Sequence, residues 1–119
     1  MNKVETIKHK LIEYTDLQLE RVQIHNILTR LRGEMKKGYT SQVHTELENL
    51  YVRKLAEIDE QKLFVENLIA TLDGEELEVM KYRYINGLTW EKVCEAMYYG
   101  NTNVHRIHRK ALEYLADRI

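Results

Sequence analysis

The glycines of this chain mark the connections between its helices. The sequence contains no proline and only five glycines, and these two residue types are the strongest helix breakers. The glycines fall where the apolar periodicity of the sequence also lapses, at positions 33, 38, 74, 87 and 100. Between the connections, apolar residues recur every three or four positions, which is the period of an amphipathic α-helix. The sequence therefore predicts an all-α protein.

Two long apolar stripes occupy the N-terminal part of the chain. The first stripe runs from Val4 to Met35 and the second from Leu47 to Leu72. The connection between them contains two glycines and two N-capping candidates, Thr40 and Ser41. Two helices of about thirty residues joined by a short connection pack antiparallel. Residues 1–72 are therefore predicted to form a long, coiled-coil-like helical hairpin.

A shorter helix is predicted to follow the hairpin. Asp73 is a suitable N-cap, and Glu76 three residues later completes an approximate capping box. The pair Asn86-Gly87 provides a stop, because both residue types tolerate a left-handed backbone conformation. This helix would support the helix pair that comes after it.

The stretch from Leu88 to Leu112 predicts two helices joined by a tight turn, Tyr98-Tyr99-Gly100-Asn101. Thr89 can cap the first of these helices with its hydroxyl. The two helices together match the plan of a helix-turn-helix, whose second helix fits the major groove of B-DNA. The apolar face of the first helix contains Trp90, Val93, Cys94 and Met97, and that of the second contains Val104, Ile107, Ala111, Leu112 and Leu115.

The residues T-W-E-K-V-C-E-A-M, followed after the turn by V-H-R-I-H-R-K-A-L, resemble region 4 of sigma factors. The chain is also similar to small phage-encoded transcriptional regulators of the RinA/ArpU type, in which a sigma-like helix-turn-helix follows an N-terminal helical segment. The resemblance implies a sequence-specific DNA-binding transcriptional regulator of phage or prophage late genes. Residues 73–119 would then be the DNA-binding domain.

The same resemblance implies double-stranded DNA as the partner, with the helix from Asn101 inserted in the major groove. For the hairpin of residues 1–72, three roles stay open. The hairpin could be a purely structural coiled coil, it could mediate homodimerisation, or it could contact RNA polymerase.

The resemblance also assigns candidate DNA contacts to individual residues. Arg106 is the strongest candidate, because a guanidinium can make a two-donor contact to guanine O6 and N7. The alternative for Arg106 and Arg109 is an ordinary solvated helix face. The expected base-facing residues are Asn101, Thr102, His105, Arg106 and Arg109. Backbone contacts, which supply affinity but little sequence choice, are expected from Thr89, Lys92, Asn103, His108 and Lys110.

Two residues of the turn depart from the sigma-like pattern. Glycine is common where Tyr98 stands, because it allows a positive φ, and serine is common where Gly100 stands, because it caps the next helix. A bulky residue at positive φ costs free energy. The turn therefore either holds Tyr98 in that conformation or is reshaped.

The formal net charge of −1 is low for a nucleic-acid-binding protein. The positive charge is concentrated near the C-terminus, where the segment from Asn101 to Ile119 has four basic and two acidic residues. The overall charge nevertheless favours a second hypothesis from another class. In that hypothesis the chain is a helical protein–protein interaction module with a degenerate helix-turn-helix that does not bind DNA.

Other function classes lack the residues they require. A single cysteine, Cys94, excludes an internal disulfide and fits a reducing cytoplasm. No apolar run is as long as a membrane span, so we expect a cytoplasmic protein with no membrane partner. His105 and His108 have no visible further ligand, so we expect no bound metal. The sequence has no catalytic or phosphate-cradling motif, and we therefore expect no enzymatic activity and no cofactor.

Overall fold

The computed structural model describes residues 2–119, and this part of the chain consists of helices and their connections, with no strand. A π-helical segment, Lys81–Ile85, directly follows the α-helix Gly74–Met80. The predicted fold class is confirmed: the protein is all-α, with a long antiparallel helical hairpin followed by a three-helix helix-turn-helix unit. The α-helices in chain order are α1 (Lys3–Lys36), α2 (Gln42–Ile69), α3 (Gly74–Met80), α4 (Trp90–Met97) and α5 (Asn101–Ala116).

The contacts group the chain into two compact units. One unit comprises residues 16–62, and the other comprises residues 2–15 together with residues 63–119. We call them the hairpin unit and the C-terminal unit, and describe each by itself. The division of the chain into functional domains at residue 72 stays a prediction.

The hairpin unit is an antiparallel pair formed by the C-terminal part of α1, the connection after it and the N-terminal part of α2. Two ion pairs join the helices, from Arg21 Nε to Asp59 Oδ1 at 2.7 Å and from Arg32 Nε to Glu48 Oε2 at 3.1 Å. Exposed ion pairs of this kind contribute little to stability. The apolar seam therefore carries most of the stabilisation; it contains Ile24, Leu28 and Ile58, with Leu17, Tyr51 and Leu55 packed against them.

The C-terminal unit contains two apolar clusters that share the buried face of α5. The cluster around α4 joins α3, α4 and the first half of α5. The other cluster joins the second half of α5 to the start of α1 and the end of α2. The first cluster contains Val79, Val93, Met97, Val104 and Ile107. The second contains Ile7, Leu11, Tyr14, Val65, Ile69, Leu72, Met80, Tyr84, Ala111, Leu112 and Leu115.

The local signals at the helix ends were partly correct. Thr89 caps α4 as predicted, because its Oγ1 accepts a hydrogen bond of 3.2 Å from the Lys92 backbone N–H. Gly87 has φ of 69°, as its predicted role in the stop requires. Asp73 occupies the N-cap position of α3, but its side chain makes no capping hydrogen bond. The predicted capping box is therefore absent, and Asp73 instead lines a hollow with Arg106 and Lys110.

The turn between α4 and α5 keeps the left-handed residue that a helix-turn-helix requires. Tyr98 adopts φ of 57° and ψ of 36°, so the turn is not reshaped around it. The next backbone N–H, from Tyr99, donates to the Cys94 carbonyl at 3.2 Å, which satisfies one of the last carbonyls of α4. The Tyr98 side chain is 93% exposed. Its ring therefore gains little from packing to offset the strain of the backbone.

We expect Tyr98→Gly to raise the free energy of unfolding by about 1 kcal/mol, because glycine adopts positive φ without a clash at Cβ. Tyr98→Ala is the matched control: it removes the ring but keeps Cβ, and should stay within about 0.5 kcal/mol of the wild type. Urea denaturation followed by circular dichroism measures both values. A glycine variant less stable than the alanine variant would contradict the assignment of strain to this residue.

Candidate nucleic-acid interface

The orientation of α5 is set by the residues it buries. Val104 and Ile107 pack against Val93 and Met97 of α4 and against Val79 of α3. Since side chains on an α-helix repeat every 3.6 residues, the residues between these buried positions lie on the opposite side. The outward face of α5 is therefore fixed by the core of the C-terminal unit.

Most of the predicted base-facing residues lie on this outward face. Asn101, Thr102, Arg106 and Arg109 are exposed, and His105 is half-buried at its edge. The exposed four supply amide, hydroxyl and guanidinium donors, the groups that proteins use to contact base edges. The structure thus brings these side chains onto one accessible surface, which we call the α5 face.

The Arg106 side chain has a partner on its own helix. Its Nε lies 3.2 Å and its Nη2 2.7 Å from Oδ1 of Asn103, which is half-buried. Asn103 was predicted to contact the DNA backbone, but its carboxamide oxygen accepts from Arg106. Two N–H groups of the Arg106 guanidinium are therefore engaged within α5.

Three of the predicted backbone contacts are accessible. Thr89 and Lys92 are exposed at the start of α4, and Lys110 is exposed on α5. The Thr89 hydroxyl already accepts from the Lys92 backbone N–H, which leaves its own hydrogen available as a donor. The ammonium groups of the two lysines add positive charge to the exposed surfaces of α4 and α5.

His108 cannot serve as the predicted backbone contact, because it lies in the core. Its side chain is only 8% exposed, and its Nε2 forms a hydrogen bond of 2.7 Å with the Tyr84 hydroxyl. Burial, followed by the positive charges of His105, Lys8 and Arg83, lowers the pKa of His108 to about 4. The imidazole is therefore neutral near pH 7 and has no access to a phosphate. The sequence does indicate that His108 is buried, since it is four residues from both Val104 and Leu112 and so lies on the apolar stripe of α5.

An aromatic and cationic cluster around Trp90 was missed by the sequence analysis. The Trp90 ring lies 4.5 Å from the His105 ring and 4.8 Å from the His108 ring, measured between centroids. The Arg83 guanidinium lies over Trp90 at 4.7 Å, and its Nη1 donates to the Leu88 carbonyl at 2.9 Å. These contacts join the π-helical segment, the start of α4 and the side of α5. They hold the start of α4 against the side of α5.

Acidic residues border the α5 face on the side of α3. Glu75 and Glu76 line the same hollow as Arg106 and Lys110. The Tyr99 hydroxyl donates a hydrogen bond to Glu75, and this bond is the largest cause of a raised Tyr99 pKa. A phosphate would be repelled from this side. Negative charge therefore limits the positive charge of the α5 face on the α3 side.

Two further properties concern residues 2–119 as a whole. No group of three or more histidine, cysteine and acidic side chains in this range is arranged to hold a metal ion. Within the same range, none of the helices combines the length and the apolar character needed to cross a membrane. Cys94, the single cysteine, is a free, half-buried thiol.

Comparisons of the chain with protein-family models, with curated proteins and with solved structures found no match. The resemblance to sigma-like phage regulators therefore stays a prediction from the sequence.

We expect the free energy of unfolding to fall by on the order of 2 kcal/mol as the pH is lowered from about 6.5 to about 4, through His108. The unfolded chain binds a proton at the ordinary histidine pKa of 6.5, whereas the pKa of the folded state is about 4. Between these values the unfolded state binds more protons, so acid favours unfolding; above pH 6.5 this contribution is constant.

Urea denaturation at a series of pH values, compared between the wild type and His108→Gln, measures this effect. Glutamine does not titrate but can still bond to the Tyr84 hydroxyl, so the variant should lose most of this pH dependence. His25→Gln, at an exposed position of α1, controls for removing a histidine elsewhere. If the free energy of unfolding fell equally with pH in the wild type and in His108→Gln, His108 would not be the group that causes the pH dependence.

Proposed function

We propose that this protein is a sequence-specific DNA-binding transcriptional regulator that inserts α5 into the major groove. The observation that carries the proposal is the α5 face: Asn101, Thr102, Arg106 and Arg109 are exposed together on one side of a helix whose other side is buried. The major groove admits one α-helix, and amide and guanidinium donors distinguish adenine and guanine there.

In this proposal the contacts divide into two classes. Arg106 and Arg109, with Asn101 and Thr102 in the first turn of α5, read base edges. Thr89, Lys92 and Lys110 contact phosphates, and so contribute affinity and salt dependence. His108 is left out because it is buried. Glu75 and Glu76 line the same hollow as Lys110, so Lys110 should contribute less to phosphate binding than Lys92 does.

The hairpin unit is proposed to supply protein contacts. A single helix-turn-helix commonly needs a second half-site for tight binding, so we propose that this unit brings together two copies or contacts RNA polymerase. Large apolar side chains exposed in this unit support a protein-binding role; they include Leu19, Val22, Val43, Leu47 and Leu50. The choice of phage or prophage late genes as targets follows the sequence resemblance alone.

A second candidate function is supported by Tyr98. This aromatic side chain is 93% exposed on a strained backbone, beside a hollow lined by Glu91, Cys94 and Glu95. Exposed tyrosines are common anchors in protein interfaces. The alternative is therefore a helix-turn-helix whose turn binds a protein and whose α5 does not bind DNA.

The test of the proposed function is binding of a labelled generic duplex at about 50 and about 200 mM salt. We expect the wild type to bind and to weaken steeply with salt, because lysine and arginine contacts release counterions from DNA. On a generic duplex the two guanidinium groups act through their charge rather than through base contacts. Arg106→Ala/Arg109→Ala should therefore lose about tenfold or more in affinity and lower the salt slope by up to about 2.

The matched control is Arg30→Ala/Arg53→Ala, which removes the same charge from exposed positions of the hairpin unit. This control should bind like the wild type. An equal loss in both double variants would mean that net charge, and not the α5 face, determines binding. Absence of binding by the wild type at about 50 mM salt would contradict direct DNA binding and favour the protein-interaction alternative.

A further inference from the structure

The Arg106 guanidinium is held by one of its two hydrogen-bonding edges. Nε and Nη2 both approach Oδ1 of Asn103, at 3.2 and 2.7 Å, and the two residues are one turn apart on α5. A guanidinium has five N–H donors in a planar fork. The contact with Asn103 occupies the side edge, formed by Nε–H and one Nη2–H. The end edge, formed by Nη1–H and the second Nη2–H, is left for another acceptor.

The free end edge has the geometry that guanine requires. Two parallel N–H groups of one edge can donate together to guanine O6 and N7. A freely rotating arginine side chain offers either edge in many orientations, and ordering it on binding costs conformational entropy. A side chain already held by Asn103 loses less freedom when it binds. It also presents one edge in a defined direction.

The chemistry of the partner preserves the positive charge. Asn103 is neutral, so its hydrogen bonds orient the guanidinium without neutralising it. Carboxylates are close by, since Glu75 and Glu76 line the same hollow as Arg106. Among the described residues, however, no carboxylate forms an ion pair with Arg106. A carboxylate would be the stronger partner, and would compete with DNA for the guanidinium.

We propose that Asn103 is a positioning residue that sets the specificity of Arg106: it holds the side edge of the guanidinium so that the end edge reads one guanine. This inference rests on the proposed function and deepens it, because it names the base recognised and the residue that directs the contact. It also replaces the predicted contact between Asn103 and the DNA backbone.

The first experiment uses the full chain without DNA. Nitrogen-15 relaxation of the Arg106 Nε–H group should report a restricted side chain in the wild type and in Asn103→Asp, which keeps an acceptor oxygen. The group should become mobile in Asn103→Ala. Alanine is a good helix former, and an unchanged far-ultraviolet circular dichroism spectrum verifies that the variant folds. Arg109 is the internal control, because the residue three positions before it is Arg106, which is not an acceptor.

The second experiment selects binding sites from duplexes of random sequence. The wild type should select a site with a guanine at one position, and the preference for guanine there should fall about tenfold in Asn103→Ala. Asn103→Asp should keep the guanine preference while binding all duplexes more weakly, since it adds a negative charge.

The outcomes separate this inference from the proposed function. If the wild type selects a site but Asn103→Ala keeps the same guanine preference, the positioning role is overturned and DNA binding stands. A mobile Arg106 side chain in the wild type would also overturn the positioning role. If the wild type binds no duplex, the proposed function fails, and the role of Asn103 in guanine recognition fails with it.

Discussion

The structure of the C-terminal unit depends on the burial of one continuous face of α5. This face is covered by two sets of partners. Val104 and Ile107 pack against α3 and α4. Ala111, Leu112 and Leu115 pack against the start of α1 and the end of α2, which belong to the same unit. Burying a large apolar side chain contributes roughly 1.5–3 kcal/mol, so a rotation of α5 about its axis would expose several such side chains together. The side that remains outside is thereby determined, and with it the residues available to a partner.

Polar and aromatic contacts add specific geometry at the middle of α5, between its two apolar clusters. His108 is buried at this point and bonds to Tyr84, and Trp90 packs on its ring below the Arg83 guanidinium. A buried imidazole must be neutral and hydrogen-bonded to avoid a large desolvation cost. These requirements are met in one arrangement of α3, α4 and α5. The cluster therefore constrains the relative placement of the helices more narrowly than apolar packing alone, which tolerates small shifts.

The turn before α5 contains one feature that does not favour stability. Tyr98 is held in a left-handed conformation with its ring in solvent. Local departures from the most stable choice concentrate at functional surfaces. The position of Tyr98 in the turn before α5 supports a binding role for this part of the chain. The neutral Asn103 fits the same interpretation, because it orders a cation without removing its charge.

The helices could be predicted from the sequence, because their signals are local: an apolar period of 3.6 residues, breakers at the connections, the Thr89 cap and the Gly87 stop. The exposure of Arg106 and Arg109 followed from the same period. The width of the buried face of each helix could not be predicted in the same way, since it depends on which distant elements cover that helix. His108 is buried by residues as far along the chain as Tyr84, and α5 shares its core with Ile7 and Leu11 of α1. Periodicity shows the direction of a face but does not identify the element packed against it.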